Sequence, residues 1–84
     1  MEGAKAMAYE RRDPVALAIG RNIYRLREIR GWSRQRLADE CDSPIQRIEE
    51  WENGKMIPST PTIMRLARAL QCKYDDLMTM PRID

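Results

Sequence analysis

The sequence predicts an all-α domain of five short helices around one core, on three observations. Apolar residues recur at three- and four-residue spacing, and no stretch alternates strictly as a half-buried strand would. Ser, Asp, Pro and Gly fall between those stretches at positions that start and stop helices. The 84 residues, 43% hydrophobic and 33% charged, fit one small globular domain and no more.

Residues 1–12 have no apolar period and read as a flexible N-terminal arm. Asp13-Pro14 then supplies an N-cap and a proline at the first helical position, where its missing N–H costs nothing. Ile19, Ile23 and Leu26 form one stripe, and Gly31 ends the run as a left-handed cap, so the first helix spans about 14–30. Ser33 caps a short second helix whose inward residues are Leu37, Ala38 and Cys41, ending at Cys41 or Asp42. Ser43-Pro44 repeats the cap-plus-proline start. Ile48 and Trp51 give the third helix its apolar side, and Asn53-Gly54 stops it. Ser59 or Thr60 caps a fourth helix carrying Ile63, Leu66, Ala67 and Leu70, and "KYDDLM" reads as a fifth with Leu77 inward. The domain therefore runs from 13 to 79, with 80–84 as a short C-terminal tail.

Several functions are disfavoured by what the chain does not own. It has no histidine, and its two cysteines, Cys41 and Cys72, form no CxxC pair, so neither a metal site nor a cofactor is expected. Both cysteines fall among apolar helical positions and read as small buried thiols. Without histidine, a nucleophile elbow or a Gly-rich phosphate loop, an enzyme is not expected. No apolar run approaches the ~20 residues that span a bilayer, and residues 1–12 lack the apolar core of a signal peptide, so a cytoplasmic protein is expected.

Charge is unevenly spread. Between Arg11 and Arg36 eight arginines face two acids, net +6, whereas Leu37–Gly54 carries Arg47 against six acids, net −5. Either the molecule has a basic and an acidic face, or these are ordinary solvated helix surfaces.

Two short helices around a tight turn, the second following Ser43, describe a helix-turn-helix. The ordered residues Ile19-Gly20, Leu26-Arg27, Ser33, Leu37-Ala38, Ile48, Glu52-x-Gly54-Lys55, Pro58-Ser59 and Leu66-Ala67 resemble the Xre/Cro/CI family of phage-repressor-like regulators. The resemblance covers roughly 19–77, with no gap between Leu37 and Lys55. It implies a lambda-repressor-like DNA-binding domain, with the helix-turn-helix at helices 2 and 3. The implied activity is sequence-specific binding of double-stranded DNA as a transcriptional regulator, a repressor acting as a homodimer on an inverted repeat. By the same carry-over, Ile45, Gln46, Arg47 and Glu50 face base edges, while Ser33, Arg34, Asn53 and Lys55 meet phosphates.

Two departures stand out. The turn carries Asp42 and Ser43 where the family has a glycine and a branched apolar residue. Ile45 stands where a polar base reader is usual; it either touches a thymine methyl or folds back into the space Ser43 leaves. The resemblance also implies that Glu52 is partly buried and pairs with Arg27.

The other glutamates and arginines carry alternative readings. Glu50 either holds Arg47 in an i,i+3 pair or accepts from a cytosine amino group, and Arg47 reaches a guanine or a phosphate. Glu49 is expected in solvent and Arg34 on a phosphate rather than on Asp39, while Arg11 and Arg12 are either solvated arm residues or added phosphate or minor-groove contacts. Trp32 and Trp51 read as packing residues. Tyr74, Leu77, Met78, Met80 and Ile83 put more apolar mass at the C-terminus than a fifth helix needs, so they form the candidate dimer contact. Two rival readings keep the fold: an antitoxin whose flank masks a toxin, and a protein-interaction module that no longer binds DNA.

Overall fold

The computed structural model describes residues 13–80. The expected arm at 1–12, with Arg11 and Arg12, and Ile83 in the tail lie outside the described residues. Five helices follow in order: α1 Pro14–Ile29, α2 Arg34–Glu40, α3 Ile45–Glu52, α4 Thr60–Leu70 and α5 Tyr74–Met78. Helix α1 packs on α3 and α5, α2 on α3 and α4, and α4 on α5. All five helices contribute to one core. Ile19, Ile23, Leu37, Ile48, Ile63, Leu66, Leu70 and Leu77 are each below 2% exposed, and burying each stabilises the fold by about 1.5–3 kcal/mol.

The helix starts follow the side-chain oxygens available. Asp13 accepts the Val15 N–H at 2.8 Å, Ser33 accepts that of Arg36 at 3.0 Å, and Ser59 accepts that of Thr62 at 3.4 Å. Helix α3 starts differently from the expectation. Its N-cap is Pro44, with no side-chain cap bond. Ser43 instead belongs to the end of α2: its N–H donates to the Ala38 carbonyl at 2.9 Å and its hydroxyl lies 3.5 Å from the Cys41 carbonyl. A residue used to close one helix is not positioned to open the next.

The helix ends share one device. The N–H five residues onward returns to a carbonyl in the last turn: Trp32 to Arg27, Ser43 to Ala38, Lys55 to Glu50 and Cys72 to Ala67, at 2.9–3.2 Å. Each closure needs a residue with positive φ just before the donor. These are Gly31, Asp42, Gly54 and Gln71.

One close approach fixes how α1 meets α3. A Cβ added at Gly20 would lie 2.1 Å from the Trp51 carbonyl oxygen and 2.8 Å from that of Glu52. Glycine is required there because the two backbones touch. That contact sets the C-terminal end of α3 against α1 and brings Glu52 within reach of Arg27.

Candidate nucleic-acid interface

Helix α3 is held from one side and open on the other. Ile48 and Trp51 are buried, and Ile45 is half-buried against the same core. Ile45 therefore folds back beside the turn and does not stand out in solvent. Gln46, Arg47 and Glu50 lie on the opposite face, related by i,i+3 and i,i+4 spacing. Gln46 and Arg47 are exposed, while Glu50 and Glu49 are half-buried. Glu49 is thus less solvated than expected.

The Arg47 guanidinium is fixed at one corner. Its Nη1 donates to Glu50 Oε1 at 3.0 Å and lies 3.4 Å from the Met56 thioether sulfur in the following loop. Lys55 is exposed just past α3, and Asn53, also exposed, is the α3 C-cap.

The Glu52 side chain is 2% exposed and sits between two arginines. Arg27 grips it side-on, Nε to Oε2 at 2.6 Å and Nη2 to Oε1 at 3.0 Å, and also donates from Nη1 to the Trp32 carbonyl at 2.8 Å. Tyr24 covers the same guanidinium at 5.3 Å. The hydrogen bonds that Arg27 donates to Glu52 raise its pKa from its ordinary value, outweighing the desolvation that opposes it. Arg34 adds its Nε to Glu52 Oε1 at 3.0 Å. The alternative partner considered for Arg34, Asp39, accepts instead from the Gln35 amide at 2.9 Å. Arg34 keeps a 39% exposed side chain beside Ser33, while Glu28 lies 3.5 Å from the Arg27 Nη1 on the other side of the cluster.

Several arginines that charge counting assigns to a basic face are used inside the fold. Arg30 donates to the Leu70 carbonyl at 2.8 Å and to Gln71 at 3.1 Å, at the end of α4. Arg36 pairs with Glu40 at 2.8 Å and covers Trp32 at 4.6 Å, with Arg30 near the same ring at 5.5 Å. From α4, Arg65 donates to the Cys41 carbonyl at 3.3 Å. Cations at helix C-termini offset the macrodipole, which gives Arg30 and Arg65 a structural role. Their partners lie 24–41 residues away, so no local sequence signal marks them.

Asn22 was also missed. It is 8% exposed and donates both amide hydrogens at 2.9 Å, to the Leu77 and Thr79 carbonyls. The available signal was a polar residue inside the apolar stripe of α1.

The C-terminal apolar group divides. Leu77 is 0% exposed in the protein's own core, so it is removed from the expected dimer contact. Met78 is half-buried against that core, and Tyr74 and Met80 are exposed. Burial pushes the thiols of Cys41 and Cys72 up; Cys41 is buried and Cys72 half-buried. Among the described residues no group of three or more Cys, Asp or Glu is placed to hold a metal ion. No described helix is long and apolar enough to cross a membrane.

A short α2, a tight turn, and an α3 held by its inner face define a helix-turn-helix domain of the lambda-repressor-like type. The helix-turn-helix family model HTH_3 matches residues 23–77. The chain belongs to that family, the DNA-binding transcription regulators of the Xre/Cro/CI type.

Two solved structures share its fold. The restriction-modification controller protein C.AhdI from Aeromonas hydrophila is 26% identical, with a TM-score of 0.72 over 74% of this chain and 94% of that one. The hypothetical transcription factor NHTF from Neisseria is 22% identical, with a TM-score of 0.77 over 82% of each chain. No curated protein sequence matches the chain.

Proposed function

We propose that the protein is a sequence-specific repressor that binds double-stranded DNA as a homodimer on an inverted repeat. The supporting observation is the open face of α3. Gln46, Arg47 and Glu50 stand together on a helix whose other side is locked into the core, so they can enter a major groove without unpacking anything. Gln46 offers a bidentate amide for adenine. Arg34, Lys55, Asn53 and the Ser33 turn flank that face and meet the phosphates on either side. Ile45 contributes at most a methyl edge, because most of its side chain faces the core.

One reading helix specifies few base pairs, and a dimer on half-sites about 34 Å apart supplies the rest. The apolar residues on and just past α5, Tyr74 and Met80 with Met78 beside them, are the proposed dimer contact, with Leu77 serving the core beneath. C.AhdI is a controller protein, which suits the same small-regulator role.

Fluorescence anisotropy with the DNA upstream of its own gene, at two salt concentrations, tests the proposal. Specific binding that weakens steeply with salt is expected, since displaced counterions set the slope. No binding to any fragment at low salt would favour the interaction module. Gln46→Ala is expected to cost specific binding about ten- to hundredfold while leaving non-specific binding intact; equal losses on both would remove Gln46 from base reading. Sedimentation should give a dimer on operator DNA, and Met80→Asp should weaken it.

A further inference from the structure

Arg47 and Glu50 share the open face of α3, but their contacts differ in kind. Arg47 uses Nη1 for both of its contacts among the described residues, to Glu50 Oε1 at 3.0 Å and to Met56 Sδ at 3.4 Å. The opposite edge of the guanidinium, Nε–H with Nη2–H, carries no contact among the described residues. That edge is the side-on fork that Arg27 uses on Glu52, where both hydrogens reach two acceptors at once. In a major groove the matching pair of acceptors is guanine O6 and N7. The Glu50 carboxylate meanwhile has Oε1 occupied, and its side chain is 37% exposed against 50% for Arg47.

We propose that Arg47 reads a guanine through its Nε/Nη2 edge and that Glu50 is a positioning residue for Arg47, not a reader of cytosine. The inference rests on the DNA-binding reading above. A phosphate is the poorer target for Arg47, because the pair is electrically neutral and brings a carboxylate along. A neutral pair gains little from phosphate charge, but a fork held at one corner by Glu50 and Met56 gains from directional bonds to a base. Arginine has many rotamers, and holding it beforehand removes part of the ordering cost of binding.

The test separates charge from direction. Half-sites are selected from randomised duplexes with the full chain, and affinities are measured by anisotropy over a range of salt. Wild type is expected to select a guanine at one position of each half-site. The charge-balanced double variant Arg47→Ala/Glu50→Ala should lose that preference by about ten- to hundredfold and keep the salt slope of log K unchanged. Glu50→Ala alone should weaken the same guanine preference and disturb no other position. Glu50→Gln, which keeps an acceptor for Nη1, should restore it.

Three results would overturn the proposal. A double variant whose slope becomes shallower by about 0.9 with base preferences intact would put Arg47 on a phosphate. Loss of a cytosine preference at a separate position in Glu50→Ala would make Glu50 a reader. No change in any preference would leave the pair as a surface ion pair. If wild type selects no sequence at all, the DNA-binding reading fails with it, whereas specific selection without an Arg47-dependent guanine overturns this inference alone.

Discussion

The Glu52 carboxylate receives three N–H groups, two from Arg27 and one from Arg34, in a pocket that excludes nearly all water. Arg27→Met would remove two of them and leave a buried charge on one exposed arginine. A loss of about 3–5 kcal/mol is expected, read as a lower urea midpoint with an unchanged slope. The joint replacement Arg27→Met/Glu52→Met should cost much less, because it removes the charge as well as its partner. A second residue-scale effect belongs to Cys41. Burial raises its pKa, so the native state keeps the thiol neutral where the unfolded chain ionises, above about 8.5. The stability this group contributes is therefore whole below that pH and fades as pH rises toward the raised value. Urea midpoints across this range should fall faster for wild type than for Cys41→Ala; parallel curves would show that the thiol is not involved.

At the scale of elements, the four-fold reuse of one helix ending decides the geometry of the turn. Asp42 takes φ +58° where glycine would meet no side-chain penalty. A left-handed L-residue costs about 1–2 kcal/mol, part of which glycine returns through its greater freedom in the unfolded chain. Asp42→Gly is accordingly expected to stabilise the protein by about 1 kcal/mol, raising the melting temperature without altering DNA binding. Lower stability would mean that the Asp42 side chain makes a contact worth more than the strain. The starts of α1, α2 and α4 were legible because a serine or aspartate and the amide it caps lie two or three residues apart. Ser43-Pro44 has the same local pattern but a different outcome. The preceding helix uses Ser43 first, and a pattern confined to one helix start cannot register that competition.

Across the whole molecule, long-range side-chain bonds tie the helices into one body. Asn22 joins α1 to the end of α5, Arg30 joins α1 to α4, and Arg65 joins α4 to α2. Asn22→Ala should free the Leu77 and Thr79 carbonyls and speed amide hydrogen exchange across 74–79 well above that in α3. Uniform acceleration throughout the domain would indicate global destabilisation instead. The same bonds change how the charge asymmetry is understood. The net +6 between Arg11 and Arg36 contains Arg27, Arg30 and Arg34, with partners inside the fold, and Arg36, paired with Glu40 at the surface, so the unpaired basic surface is smaller than composition implies. The net −5 shrinks likewise, since Glu52 is neutralised by Arg27 and Arg34 and Glu40 by Arg36, all from outside that stretch. Periodicity, caps and the ordered family residues were sufficient for five helices, their order and the helix-turn-helix, because those signals act over one or two helical turns. They also marked Gln46, Arg47 and Glu50 as neighbours on one face. Only the tertiary structure decided that Arg34 shares Glu52 with Arg27, that Ile45 turns inward, that Leu77 is core, and that Asn22 and Arg30 are ties. Each of those outcomes depends on a partner 18 or more residues away or on which face of a helix the rest of the chain covers, and helical periodicity carries neither.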